Sequence, residues 1–439
     1  MKNTILFLIC LFGIWGISCD PARRAGTPTR PGTPGKPAPG KSTPMDTIRW
    51  TPSNSGKPPI GQGGNQPGSN KPNGATYHIA YLLPFLSNQM EGEEVPEKSK
   101  LALQFYAGGK LALEQLSAET SIQLVVNVWD TQANDTDFEK VMNNSRLDKS
   151  TVFIGPVRAS HVSTFASWTK QRGKILVSPE TPSADLTQGN PGFVQINPSL
   201  RAHCETITQY VRKRNKADAV TLVCKEKEAD RMIYFQQANA RMGGTTRLNE
   251  LVIPDDQKGF EQTDLRKYLR AGRTSVFVLP SWASQDYIMA FLRKLKEVKG
   301  SHQVEVYGMP QWRHFDAIEP EYLSQLNVHI TSAGWQDYTD PDIKAFQQKF
   351  YESTGTLPDD DAFNGYDVTL FVGRMLAKYG LSFPEHLGSE KANTLRGRFA
   401  FSQIFTNGGV DQGNNQPDYW ENTFVHLLRF DQFRYVPVE

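Results

Sequence analysis

TVFIGPVRASHVSTFASWTKQRGKILVSPET, residues 151–181, sets the architecture. Residues 151–154 are a short apolar run that Gly155-Pro156 brings to a halt, so they read as a strand. The spacing predicts a helix over 160–171 and a second strand over 174–178. Strand, helix and strand in that order form a parallel crossover unit. The same alternation continues upstream. HIAYLLPF (78–85) and IQLVVNVW (122–129) read as buried strands. Between them, 99–116 carries Leu103, Tyr106, Ala107, Leu111, Leu113 and Leu116 at helical spacing. A short helix is expected over 137–144. Downstream the pattern starts again: strands at AVTLVC (219–224), 246–253, SVFVL (275–279) and 304–308 alternate with helices at 200–214, 230–242, 264–269 and 285–298. An extended stretch at 328–335 and helices at 342–354 and 361–378 follow, then an aromatic, Asn/Gly-rich stretch (397–438) that reads as hairpins. About 360 residues exceed one compact core. The expected fold is therefore α/β, with two doubly wound parallel-sheet lobes and a cleft between them. Lobe one is expected over 77–197 and 333–396, and lobe two over 198–332 and 397–439.

The chain before Tyr77 is of another kind. Lys2 precedes an apolar run over 5–14, about ten residues, too short to span a bilayer and right for a signal peptide. Gly16-Ile17-Ser18-Cys19 follows and resembles the lipobox of bacterial lipoprotein precursors, with Gly16 where Leu is usual. That resemblance implies cleavage after residue 18 and fatty acylation of Cys19, with the lipid bilayer as a partner. From 19 to 76 the chain is Pro, Gly, Ser, Thr, Asn and Lys with almost no aliphatic residues. Such composition cannot offset chain entropy by burial, so 19–76 is expected to be a disordered, semi-extended tether.

Net charge is +2, with acids and bases interspersed, so there is no electrostatic footprint for nucleic acid. Gly-x-Ser-x-Gly and His-Glu-x-x-His patterns are absent, and His161, His203, His314 and His329 lack metal-ligand spacing. The expectation is a protein that is not an enzyme and needs no cofactor or metal. Asp359-Asp360-Asp361 precedes a helix and reads as capping favoured by the helix dipole.

Several ordered segments carry a family resemblance: Ile79 to Phe85, Tyr106 to Leu113, Trp129-Asp130-Thr131, Phe153-Ile154-Gly155-Pro156 with Ser160, Ser178-Pro179-Glu180-Thr181, Phe363-Asn364-Gly365-Tyr366-Asp367, and Gly397 to Phe401 before Gly408-Gly409. From Tyr77 onward the chain resembles the type I periplasmic-binding proteins, in the branch that binds leucine, isoleucine and valine. The resemblance implies a ligand held in the cleft, its carboxylate by first-lobe hydroxyls and helix amides, its ammonium by second-lobe acids and tyrosines. Open parallel sheets bind beyond their strands' carboxyl ends. Ser160, Ser178 and Thr181 lie there on lobe one. Ser160 is either a ligand contact or the cap of its helix, and Thr181 either a contact or the start of a turn. The second lobe departs from the pattern. Lys225 to Arg231 offers no tyrosine, and Asp286 after SVFVL falls inside a helix. Trp282 and Trp312 are either an aromatic wall to the ligand or packing residues. Cys204 and Cys224 sit on consecutive elements at the cleft end of lobe two, and are either a disulfide or two buried thiols.

Two functions remain open. The first is a solute-binding lipoprotein, taking a small amino-acid-like or anionic ligand and serving an ABC permease or a sensor. The second is an interaction module on a cell-envelope complex such as a peptidoglycan synthase, since some lipoprotein activators of those enzymes carry this fold. In both, the expected location is a membrane-anchored lipoprotein of the outer membrane facing the periplasm.

Overall fold

The computed structural model describes residues 74–92, 94–132, 134–405 and 417–438, and the backbone of the strand Asp46–Trp50. The described residues fall in one compact unit, Ser42–Glu439. Residues 1–45 and 51–73 lie outside them, and with these the signal peptide, Cys19 and most of the expected tether.

The first stretch of chain runs β1 (Asp46–Trp50), β2 (Thr76–Leu83), α1 (Lys100–Glu119), β3 (Gln123–Asp130), α2 (Asp135–Met142), β4 (Val152–Ile154), α3 (Ala159–Gln171), β5 (Ile175–Ser178) and β6 (Phe193–Gln195). The second runs α4 (Leu200–Arg214), β7 (Val220–Lys225), α5 (Met232–Arg241), β8 (Asn249–Ile253), α6 (Gln257–Gln262), β9 (Ser275–Val278), α7 (Gln285–Lys299), β10 (Val304–Gly308), α8 (Pro320–Gln325) and β11 (Val328–Ser332). Then come α9 (Pro341–Thr354), α10 (Asp360–Tyr379), β12 (Lys391–Thr394), β13 (Gly397–Ile404), β14 (Tyr419–Asn422), β15 (His426–Asp431) and β16 (Arg434–Pro437).

Two sheets result, ordered β1-β3-β2-β4-β5-β6-β14-β13-β12 and β16-β15-β11-β10-β9-β7-β8. The strands from β2 to β6 pair in parallel, as do those from β7 to β11, and the antiparallel strands lie at the sheet edges. The expected α/β fold with two lobes is thus what the chain forms. Helices cover both faces of the first sheet, so its strands are apolar on both sides. On β2, Ile79, Tyr81 and Leu83 join the core beneath α1 and α10. Ala80 and Leu82 join the core beneath α2 and α3.

The structure revises three expectations. First, Asp46–Trp50 lies within the expected tether yet pairs antiparallel with β3, Asp46 opposite Val128 and Trp50 opposite Leu124. Thr47, Ile48 and Trp50 are β-formers in a Pro/Gly-rich segment, and the outer edge of β3 offers them open backbone groups. Second, the final return to lobe two does not come at 397. β13 and β14 belong to the first sheet, because β14 pairs in parallel with β6 (Trp420 opposite Val194). Phe371 of α10 holds that hairpin through Phe399 and Phe401, ring centroids 5.3 Å away in each case. The chain therefore crosses between lobes after β6, after β11 and after β14. Third, the helix expected over 264–269 is a single turn, Leu265–Tyr268, with α6 before it. Asp256 accepts from the backbone N–H of Gly259, and Asp264 from that of Arg266, so two short caps divide the segment.

α1 and α10 cross at very short range. A Cβ on Gly365 would lie 1.9 Å from the carbonyl oxygen of Phe105, and one on Gly108 would lie 1.9 Å from that of Ala362. The bare backbones of these two glycines set the helix spacing and fix where α10 begins.

Candidate functional site

The loops that follow strands of both sheets meet at the amino end of α10. From lobe one, β5 ends at Ser178 and the chain continues through Pro179, Glu180 and Thr181. From lobe two, β10 leads into the turn Pro310–His314. Asp359 caps α10, accepting from the backbone N–H groups of Asp361 (3.0 Å) and Ala362 (3.2 Å), as its place before the helix predicted.

Asn364, one turn into α10, is the hub on the lobe-one side. Its Nδ2 donates to Glu180 Oε1 and to the Pro179 carbonyl (3.4 Å). Its Oδ1 accepts from Arg396 Nη2 at 2.6 Å. Arg396 also donates to the Asp360 carbonyl (3.4 Å) and pairs with the buried Asp367 (3.8 Å). Asp367 accepts the backbone N–H groups of Leu395 (2.8 Å) and Arg396 (3.2 Å), so it anchors the turn between β12 and β13. From lobe two, Arg313 reaches across to Asp360 at 2.5 Å, while Gln336 donates to the other oxygen of Asp360 at 2.7 Å.

This crowding of carboxyls changes their chemistry. Glu180 is pushed up to about 7, chiefly by burial and then by the charge of Asp361, against the opposing pull of Arg396 and Asn364. Asp361 is pushed up to about 6 by burial and by Asp359. Asp367 also rises to about 6 through burial, although Arg396 and two backbone N–H groups favour its ionised form. Asp360 goes the other way: burial alone would raise it, but Arg313, Gln336 and Arg396 together hold it below its usual range.

On lobe two, Glu228 follows β7 and Ser281 follows β9, and their side chains hydrogen-bond. Arg231 donates to Glu228 (2.9 Å) and to the Pro280 carbonyl (3.3 Å). His203 lies beside Trp282, ring centroids 5.7 Å apart, and burial pushes its pKa down to about 3, so it is neutral at physiological pH.

The residues expected at the site divide. Ser178 is fully buried at the end of β5, and its hydroxyl has no partner among the described residues. Thr181 donates to the Val157 carbonyl (2.7 Å) and so ties the loop after β5 to the loop after β4. Ser160 is not the cap of its helix. Arg158 occupies that position, and Ser160 is exposed within the first turn of α3. Trp312 is not a wall of the cleft: it is buried in the lobe-two core, where its ring packs on Gly308 and its Nε1 donates to the Ser281 carbonyl at 3.0 Å. Trp282 packs half-buried against the same core. Cys204 and Cys224 are free buried thiols, not a disulfide. Each faces the lobe-two core from its own element, Cys204 from α4 and Cys224 from β7, so they behave as small apolar side chains.

Glu180, Arg396, Arg313, Glu228 and Ser281 were not singled out from sequence. A carboxylate directly after a strand's Ser-Pro end is the one local signal that pointed to Glu180. Arg396 and Arg313 come from distant segments, and only the fold brings them to α10.

Comparison with known proteins follows the same lines. A periplasmic binding protein family model matches residues 100–416. An ABC transporter substrate-binding protein from Desulfitobacterium hafniense, in complex with Leu, is similar in structure at 16% identity and a TM-score of 0.53, over 83% of this chain and 100% of that one. A putative branched-chain amino acid ABC transporter protein from Rhodospirillum rubrum aligns at 12% identity and a TM-score of 0.59, with the same coverage. Full-length LpoA from Haemophilus influenzae aligns at 14% identity and a TM-score of 0.55, over 84% of this chain and 60% of that one. No curated protein matches the sequence. At these identities the structural likeness concerns the fold. The family match covers most of the chain, and the chain belongs to the periplasmic binding protein family.

Proposed function

We propose that this protein is a non-enzymatic, extracytoplasmic solute-binding lipoprotein that takes a small amino-acid-like ligand between its lobes and passes it to an ABC permease or a sensor. The observation that carries this reading is the meeting of loops from both sheets at the amino end of α10, with Glu180 and Arg396 from lobe one and Arg313 from lobe two. The proteins from Desulfitobacterium and Rhodospirillum support it through their fold and their stated ligand class. The polarity differs from the one implied by the family resemblance. Acids stand on lobe one, at Glu180 and Asp361, and Arg313 approaches from lobe two, so the ligand's ammonium faces the first lobe.

Native mass spectrometry of the chain purified from its host, followed by calorimetry with leucine, tests this. Glu180→Gln is expected to weaken leucine binding by roughly 1–3 kcal/mol, through loss of a charge-assisted contact. In the parent, affinity falls as pH drops through about 7, because Glu180 gains its proton there; in the variant that dependence is gone. A chain that retains no small molecule and gives no heat with leucine, isoleucine or valine contradicts the proposal.

The anchor belongs to the same reading. Cys19→Ala is expected to move the protein from the membrane fraction to the soluble fraction or to leave it as precursor. Membrane fractionation at the mature size, equal to that of the parent, rules the anchor out.

A second reading is an interaction module on an envelope complex such as a peptidoglycan synthase. Its support is the Arg313–Asp360 pair, which joins the lobes with the protein's own charges, and the fold shared with LpoA. Affinity capture that recovers a synthase, from a chain that binds no amino acid, favours it.

A further inference from the structure

At the amino ends of the lobe-two strands, opposite the end that faces α10, lies a cavity of about 640 Å³. It forms where α4 ends and β7 begins, against the turn after α5. Four cationic side chains line it, Arg212, Lys213, Arg214 and Lys216, with a single carboxylate, Asp218. That carboxylate is already engaged. Arg273 pairs with it at 2.6 Å and holds its carboxyl below the usual range. Basic residues in a helix's last turn complement its dipole, which accounts for part of the cluster. It does not account for Lys216, which lies beyond the helix. Nor does it account for the opposite wall, the exposed turn Gly243-Gly244-Thr245-Thr246.

The two walls are fixed to each other. Asn239 is buried, accepts from Arg212 Nε at 2.7 Å and donates to the Thr246 carbonyl at 2.9 Å. The backbone N–H of Gly244 returns to the Asn239 carbonyl at 3.0 Å, so close that a Cβ on Gly244 would lie 2.7 Å from Asn239. Arg212 is further held by the Asn215 carbonyl, and Arg214 lies over the Tyr210 ring at 3.6 Å. These guanidiniums are pre-oriented, and Lys213 and Lys216 have no acceptor among the described residues. Held cations with unfilled donor capacity, facing a turn with two threonine hydroxyls, form a receptor for a multiply charged oxyanion. The volume exceeds that of a single small ion and suits several linked charges.

We propose that this cavity binds a phosphate-bearing polyanion at a second site, separate from the cleft. Calorimetry on the full chain, with tripolyphosphate and with dihexanoyl phosphatidic acid below its micelle concentration, tests it. Binding is expected to weaken with added salt. Lys213→Ala/Lys216→Ala is expected to weaken it by roughly ten-fold or more, with the thermal midpoint and leucine response unchanged. Lys349→Ala, on lobe one, leaves binding as it was. Binding of tripolyphosphate alone identifies a soluble phosphate ligand, and binding of the lipid identifies a headgroup; either supports the site. The proposal is overturned if neither probe binds at low salt, or if Lys349→Ala costs as much affinity as the double variant. Because leucine is measured in the same preparation, failure here and failure of the cleft reading show separately.

Discussion

Arg396→Ala is expected to lower the unfolding free energy by about 3–5 kcal/mol, the cost of removing one partner from a buried ion pair. Arg396 is the cation nearest three carboxyls that the fold has placed in poor solvent. It pairs with Asp367, bonds Asn364 beside Glu180, and opposes the upward shifts of Glu180, Asp361 and Asp367. Without it these groups protonate at still higher pH. A carboxyl whose pKa is raised by folding costs nothing below its unfolded value, and its full penalty appears as pH rises through the folded value. The loss in the variant is therefore largest above about pH 7 and shrinks on acidification through about 6. Urea titrations at both ends of that range give the comparison. Asp367→Asn in the Arg396→Ala background should recover part of the loss, since it removes the charge left unpaired. A parent-like midpoint for Arg396→Ala at alkaline pH refutes this account.

Gly365→Val is expected to cost about 3 kcal/mol or more, at the upper end for overpacked sites. The added Cβ meets the backbone of Phe105 rather than a side chain that can swing away. α1 and α10 must separate, and their contact with the sheet beneath is lost. The Tyr81–Thr369 hydroxyl pair, 2.6 Å apart, breaks with it. Leucine binding should fall together with stability, because Asp360 and Asn364 ride on the first turns of the displaced helix. A thermal midpoint equal to the parent's contradicts the close crossing.

The parallel sheets were legible because both their faces are buried, which leaves short apolar runs such as VFI and ILVS between helical spacings. The strand Asp46–Trp50 was hidden by the composition around it: three β-formers, Thr47, Ile48 and Trp50, weigh little in a long Pro/Gly-rich segment. The lobe of the hairpin β13–β14 could not be read locally, since its partner β6 lies more than two hundred residues earlier in the chain. The strand-end rule put Ser178 and Thr181 at the end of β5 but did not give their states. Whether a hydroxyl is filled, as in Thr181, or left open, as in Ser178, depends on a neighbouring loop. Trp312 shows the same limit. An aromatic residue after a strand end can face solvent or core, and here Gly308 opens room for the ring inside.

The three crossings also bear on when the molecule can take shape. β14 enters the first sheet beside β6, and β15 enters the second beside β11. Both come from the last segment of the described chain, so neither sheet has its full set of neighbours while only the earlier residues exist. Contacts so distant in sequence close late, because the long loop must be gathered before any strand pairing rewards it. One terminal segment thus completes both sheets, and its loss would leave an unpaired edge on each of them.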